Sequence, residues 1–325
     1  MSIRSSALKR PKSNVSEAIW FFYIARRTGY SKPKVHIDMS KTPKRPRVSD
    51  GCSISLVSVT PLRIMVELLE GILTHIEFKA DGRDNCIRVE SIDAAGVCVA
   101  TGKLVCTVEC TGAGEQVAFT VNSGILKTCL KTLNAYQSID MVYDRDVVAA
   151  KLLLNAYEIS SSITSKFQLP VLDIATKPLG AFDMKYDFTF ELELNTLRNI
   201  TKNALLLKGD EIQFTVRTNS GFVELTIFTD GGAEQEHVFC AKSTDHSTPV
   251  RIDEGAEVDE ENFHGMRERY KHRFSVSYMN KFLVADSQLI SLRLSPNKPL
   301  ILNYPLGIED SFVSFVLSPR VTACT

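Results

Sequence analysis

The stretch that decides the fold is residues 274–321, FSVSYMNKFLVADSQLISLRLSPNKPLILNYPLGIEDSFVSFVLSPRV. Apolar side chains at helical spacing predict a helix over residues 275–286: Val276, Met279, Phe282 and Leu283. Alternating or continuous apolar runs predict three strands after it: residues 289–294, 299–304 and 311–317. Asn297 and Lys298 supply the residue types of a tight turn between the first two strands. The segment is therefore expected to form a helix followed by an antiparallel meander.

The same unit occurs earlier in the chain. After Phe119-Thr120-Val121, apolar residues recur at helical spacing over residues 123–135, and two strands follow. The second of these ends in LNAY at residues 154–157, where the late copy ends in LNY at residues 302–304. We therefore predict an α+β chain built twice, each half reading strand, helix, three strands, helix, three strands. Each half would be an antiparallel sheet with two helices on one face.

The length allows two domains. The chain has 325 residues and 44% hydrophobic content, enough for two cores. We predict a basic disordered arm over residues 1–50, a first domain over 51–168, a connecting loop over 169–187 and a second domain over 188–325. The acidic run within residues 249–273 is interpreted as an exposed insertion. Proline, glycine and apolar residues alternate in the connector, which is expected to lie extended along the surface.

Charge and composition favour a scaffold over an enzyme. The formal net charge is zero, so binding to nucleic acid would need an uneven distribution of charge. The sequence contains no glycine-rich phosphate loop, no nucleophile elbow and no histidine pair at ligand spacing. Eight cysteines occur without a CxxC pair. We predict no catalytic residues, no metal and no cofactor, and a reducing compartment.

The first 50 residues differ in kind from the rest. They are strongly basic, and KTPKRPRV at residues 41–48 resembles a nuclear-import signal, with a generic basic tail as the alternative. The apolar run AIWFFYIA at residues 18–25 is too short to span a bilayer. We expect a nuclear protein with no membrane segment. Met39 remains open as an alternative start.

Three stretches carry a resemblance to a known family. VESIDAAGV at residues 89–97 resembles a strand, turn and strand of the eukaryotic-type DNA sliding clamp family, proliferating cell nuclear antigen. LDI at 172–174 and LG at 179–180 are similar to its interdomain connecting loop. YMN at 278–280 and LSPRV at 317–321 resemble its C-terminal half-domain. The likeness covers roughly residues 54–321.

The resemblance implies a ring of three identical subunits around double-stranded DNA, with helices lining the hole and sheets forming the outer wall. Strands at about residues 165–169 and 237–242 would pair between subunits. Such a ring is a polymerase processivity factor in DNA replication and repair. Its implied partners are a replicative DNA polymerase, clamp loader, flap endonuclease and DNA ligase, bound through short peptide motifs. The alternative is a subunit of a heterotrimeric checkpoint or repair clamp.

The resemblance also implies two sets of site residues. Loose, non-specific contacts to DNA phosphates fall to the basic residues of the helices: Arg63, Lys127, Lys131, Arg198, Lys202 and Lys281. A pocket under the connector would take an aliphatic residue and two aromatic residues of a partner: Ile92, Gly96, Val97, Val99, Leu179, Pro299, Val316, Ser318 and Pro319. The alternatives are a solvated helix face for the basic residues and ordinary core packing for Val97. The chain departs from the family at Glu70, where a lysine is usual, and at Val316, which replaces an aromatic residue.

Overall fold

A computed structural model describes residues 51–111, 116–133, 137–145, 150–158, 164–174, 185–219, 222–230, 234–242, 250–252, 267–284 and 289–320. The elements of the first half are β1 (Gly51–Leu56), α1 (Thr60–Glu70), β2 (His75–Asp81), β3 (Cys86–Ile92), β4 (Cys98–Val105), β5 (Thr107–Thr111), β6 (Gln116–Asn122), α2 (Ser123–Lys131), β7 (Ser138–Asp144), β8 (Lys151–Tyr157) and β9 (Thr164–Pro170). Those of the second half are β10 (Phe188–Glu193), α3 (Leu194–Leu206), β11 (Glu211–Asn219), β12 (Phe222–Asp230), β13 (Gln235–Lys242), β14 (Val250–Ile252), β15 (Arg267–Ser275), α4 (Val276–Phe282), β16 (Leu289–Leu294), β17 (Leu300–Pro305) and β18 (Phe312–Leu317).

Two of the described helices start at a recognisable signal in the sequence. Pro61 lies in the first turn of α1, where its missing N–H leaves no hydrogen bond unmade. The Asn122 side chain accepts a hydrogen bond from the Ile125 N–H at 3.0 Å and so caps α2. α1 packs against α2, and α3 packs against α4. Each helix buries most of its apolar stripe and turns its charged residues outward.

All strand pairs described are antiparallel, and the two halves share one pairing order. In the first half the order is β5-β1-β7-β8-β9, with a second set β6-β2-β3-β4. In the second half the order is β14-β10-β16-β17-β18, with a second set β15-β11-β12-β13. The predicted α+β class with antiparallel sheets is confirmed.

Among the described residues, one strand pair joins the halves. β18 pairs with β4, with Phe312 opposite Lys103 and Leu317 opposite Cys98. Because of this pair, a sheet of nine strands runs through both halves, in the order β14-β10-β16-β17-β18-β4-β3-β2-β6. Below we call the β18–β4 pair and the helix ends over it the internal joint.

The helices pack tightly over the internal joint. A Cβ added to Gly102 of β4 would lie 2.6 Å from Met65 Cε of α1, so this face of β4 contacts the helix directly. A Cβ on Gly71, just after α1, would lie 2.8 Å from the Lys281 carbonyl oxygen of α4. Glycine at position 71 therefore allows a close approach of two backbones that a side chain would block, whereas at Gly102 the end of the Met65 side chain would have to move.

The segment that follows the last strand of each half, β9 or β18, is held in the same way. After β9, the Leu172 N–H donates to the Thr120 carbonyl of β6 at 2.8 Å. After β18, the Arg320 N–H donates to the Arg273 carbonyl of β15, also at 2.8 Å. Each half therefore tethers its outgoing segment to the edge of its second strand set. In the first half that segment is the start of the predicted connector, of which residues 175–184 lie outside the described residues.

Several sequence-based boundaries are wrong. Five strands, not three, lie between the two helices of each half. The insertion predicted over residues 249–273 is wrong where the structure describes it, since β14 and β15 occupy residues 250–252 and 267–273. Residues 249 and 253–266 lie outside the described residues. β15 was hidden because its charged residues alternate with the buried Tyr270 and Phe274. The second and fourth helices end at Lys131 and Phe282, before residues 135 and 286.

Candidate partner-peptide surface and helix layer

Four β-branched side chains form one row across the internal joint. Ile92 of β3 lies opposite Val99 of β4, Val99 opposite Val316 of β18, and Val316 opposite Ile301 of β17. Neighbouring Cys98 and Ala100 are buried, and Gly102 contacts α1, so this row faces away from the helices. We call these four residues the apolar row. Ile92 is 46% exposed, whereas Val316 is only 7% exposed and contributes the floor.

The turn between β3 and β4 forms one rim of the apolar row. The Val97 carbonyl accepts a hydrogen bond from the Ser318 N–H at 3.1 Å, which joins this turn to the end of β18. Pro319 follows directly. Gly96 has φ = 69°, a left-handed backbone that favours glycine, and nothing lies within 4 Å of a Cβ placed there. The turn is therefore open around Gly96.

A buried tyrosine holds the β17 end of the same rim, since Leu300 lies opposite Leu317 and Leu317 opposite Cys98. The Tyr186 hydroxyl donates to the Pro299 carbonyl at 2.9 Å, and Lys298 Nζ lies 5.5 Å from the centre of the Tyr186 ring. Burial raises the pKa of Tyr186 to about 12, so the hydroxyl stays protonated and remains a donor. Pro299 is thus fixed at the start of β17, next to the apolar row.

Most of the residues predicted for the pocket come together. Ile92, Val99 and Val316 share the apolar row, and the rim along one side of it is formed by Gly96, Val97, Ser318, Pro319 and Pro299. Leu179 lies outside the described residues. Ile301 belongs to the same row but was missed, because its place depends on the β17–β18 register. The alternation in LILNY at 300–304 was the available signal, since it puts Ile301 on the face opposite the buried Leu300 and Leu302.

The described surface around the apolar row is a sheet face. A cleft of about 590 Å³ lies elsewhere, between β6, the end of β7 and residues 171–174. Glu77, Phe119, Tyr143 and Arg145 line it, and none of the predicted pocket residues does. A ligand of the apolar row would therefore lie across strands, with the rim along one side of it.

The six predicted DNA-contact residues are all on the helix layer, but they differ in their contacts. Lys127 Nζ of α2 lies 2.6 Å from the Glu70 carboxylate of α1, so its charge is largely compensated. Arg198 Nε donates to the Leu283 carbonyl at 2.7 Å, which binds α3 to the end of α4. Both side chains therefore already have structural partners.

The other four predicted contact residues are differently placed. Lys281 Nζ lies 5.0 Å from the centre of the Tyr278 ring. Lys131 and Lys202 are exposed, and Arg63 is half-buried. The four described helices carry two acidic residues, Glu67 and Glu70, both on α1. The layer is therefore basic overall, and it is more basic in the second half than in the first.

No protein-family model matches the chain, and no curated protein matches it. Within the described ranges, no cluster of three or more His, Cys, Asp or Glu side chains could hold a metal ion. None of the helices described above has the length and apolar character needed to cross a membrane.

Proposed function

We propose that this protein is a DNA sliding clamp: a nuclear, non-enzymatic processivity factor whose subunits close into a ring of three around duplex DNA. The observation that carries the proposal is the internal joint. Two halves with one pairing order are joined there, edge to edge, through β18 and β4. The matching strands, β9 and β13, end their sheets with one edge unpaired among the described residues. Pairing β9 with the β13 of a neighbour repeats the internal joint and continues the sheet.

The register of that pair can be worked out for β9 from the internal joint. Phe315 of β18 lies opposite Leu302, and Phe167 of β9 lies opposite Leu154 in the matching place. LN at 154–155 and LN at 302–303 fix this match. Lys166 of β9 therefore corresponds to Ser314 of β18.

The same reasoning applies to β13. Asn122 and Ser275 both immediately precede a helix and are taken as equivalent. The paired residues can be followed from Asn122 through β2 and β3 to β4, and from Ser275 through β11 and β12 to β13. This comparison matches Lys103 of β4 with Val238 of β13. Since Ser314 lies opposite Thr101 in the internal joint, Lys166 would lie opposite Glu236 of the neighbouring subunit. Opposite charges facing each other across strands are favourable. This complementarity favours a ring of identical subunits.

Exposed apolar side chains at both predicted interface faces support the same assembly. Leu206, at the end of α3, is 81% exposed, and Leu205 beside it is 38% exposed. Their counterparts at the end of α1 lie in the internal joint, where α1 meets α4. By the same match, α3 of one subunit would meet α2 of the next, where Ile125 is 48% exposed. Apolar groups on both sides would then be covered together.

The ring explains how a neutral chain could hold DNA. A basic helix layer facing the hole would contact phosphates non-specifically and loosely, since retention comes from enclosure. The apolar row on the opposite sheet face would bind short apolar peptide segments of a polymerase, clamp loader, flap endonuclease or DNA ligase. The protein would thereby tether replication and repair enzymes to the template.

Sedimentation equilibrium tests the ring. The proposal expects a particle of three times the 36.2 kDa chain mass. A monomer at all concentrations, forming a ring only with other polypeptides, would replace the proposal with the alternative of a mixed checkpoint or repair clamp. A monomer that joins no ring with any partner would remove both.

A further inference from the structure

A buried carboxylate organises the turn beside the apolar row. Asp93 follows β3 and is 8% exposed. Its carboxylate accepts hydrogen bonds from the N–H groups of Ala95 at 3.2 Å, Val97 at 2.8 Å and Cys98 at 2.7 Å. An ionised carboxylate that accepts backbone N–H groups makes strong hydrogen bonds. Asp93 therefore fixes the shape of the whole turn from residue 93 to residue 98.

The fourth donor to this carboxylate comes from the other half of the chain. The Tyr278 hydroxyl of α4 donates to Asp93 Oδ2 at 2.5 Å, across 185 positions of sequence. Lys281 packs its ammonium group over the Tyr278 ring. The hydrogen bond to Asp93 is the largest of the causes that raise the pKa of Tyr278 to about 12, which keeps the proton on the donor. The helix layer is thus bonded directly to the turn on the sheet.

This link is specific to the internal joint. In the first half, Ile125 of α2 takes the place that Tyr278 takes in α4, counting from the residue before each helix. Isoleucine has no hydroxyl, so the matching contact between subunits would lack the bond. The tyrosine is therefore not required by the fold of a half. It occurs at the joint whose sheet carries the apolar row.

We propose that Asp93 and Tyr278 are a positioning pair for the partner-peptide surface. The pair holds the turn so that Val97 reaches Ser318 and Ile92 stands at the edge of the apolar row. Neither side chain contacts the peptide itself. The inference rests on the proposed function, since it assigns these residues a role in the binding of that peptide.

Removal of one hydroxyl gives the sharpest test. Tyr278→Phe keeps the ring packing and loses only the bond to Asp93. We expect a dye-labelled synthetic peptide with one aliphatic and two aromatic residues to bind about tenfold more weakly, the effect of losing one charge-assisted hydrogen bond. Asp93→Asn should weaken binding at least as much, because it also disturbs the backbone hydrogen bonds of the turn. Adding Tyr278→Phe to Asp93→Asn should cost little more, because the bond between the two side chains is already weakened. Tyr143→Phe is the matched control, since this tyrosine lies on β7, away from the joint.

Two further readouts separate positioning from general destabilisation. Amide hydrogen exchange in Tyr278→Phe should accelerate at Ala95, Val97 and Cys98 and stay unchanged in sheet β5-β1-β7-β8-β9. The oligomeric mass should match that of the wild type. If the wild type binds the peptide and Tyr278→Phe binds it equally well, the positioning role is overturned and the partner-peptide surface is not. If the wild type fails to bind such peptides, the partner surface itself is wrong and the positioning role falls with it.

Discussion

Charge reversal at the predicted subunit interface tests the ring at one residue pair. Lys166 on β9 and Glu236 on β13 are both exposed in the single chain, and they belong to different sheets. Lys166→Glu would place two carboxylates opposite each other at every interface of the ring. Adding Glu236→Lys would restore one charge of each sign in the reverse order. Only a contact between subunits predicts that the second change repairs the first.

The expected size follows from cross-strand energetics. Opposite and like charges facing each other differ by about 1 kcal/mol per pair. With one such pair at each of three interfaces, the free energy of assembly of the ring should be less favourable by about 3 kcal/mol. The midpoint concentration of dissociation depends on the square root of the trimer constant, so it should rise roughly tenfold in Lys166→Glu. The double variant should return to within about twofold of the wild type.

Mass photometry over a dilution series measures this midpoint directly. Lys151→Glu is the control, because Lys151 is exposed on β8, which is paired on both edges. The control should leave the midpoint unchanged, and added salt should narrow the difference between Lys166→Glu and the wild type. An unchanged midpoint in Lys166→Glu, or a double variant no better than the single one, would refute the predicted register.

Three other outcomes are expected. Lys202→Ala should weaken retention on DNA at low salt several-fold more than Lys127→Ala, measured by the salt dependence of binding, because Glu70 already compensates Lys127; equal losses would contradict this. Burial opposes ionisation of Asp93, but hydrogen bonds from its tyrosine partner and backbone amides lower its pKa below 3.8, so its stabilisation is complete above that pH and is lost as pH falls through the lowered pKa. The difference in melting temperature between wild type and Asp93→Asn should therefore shrink in acid, and a constant difference would exclude the ionised carboxylate as its source. Gly71→Ala should lower the free energy of unfolding by about 1–3 kcal/mol, measured by urea titration, since its Cβ would lie 2.8 Å from the Lys281 carbonyl oxygen of α4; a neutral result would show that α4 can shift away.

Much of the architecture follows from local pattern. The apolar periodicity of residues 274–321 predicts α4 and the β16–β18 meander, and the tight turn is confirmed by the left-handed Asn297, with φ = 61°. The earlier copy of the pattern leads to β7 and β8 in the same way. Each of these elements buries one continuous apolar face, so the spacing of its apolar residues can be recognised in the sequence.

Other features depend on contacts that no local pattern encodes. β15 is an edge strand with charged residues on its exposed face, and it follows an acidic stretch of sequence. Its apolar alternation is therefore too weak to be recognised from the sequence. Ile301 joins the apolar row only through the β17–β18 register. The bond between Asp93 and Tyr278 spans the two halves, and only the packing of α4 over the internal joint brings its atoms together. The family resemblance therefore pointed to residues of the apolar row and its rim, but not to the hydrogen bonds that connect them.

Enclosure of DNA is the central element of the proposed function. The most direct measurement loads the labelled protein with a clamp loader onto a nicked circular duplex and follows the retained protein in high salt, before and after one cut by a restriction enzyme. We expect stable retention of the protein on the circle and rapid loss after linearisation, because a ring slides off a free end. Equal retention on circular and linear DNA would contradict enclosure.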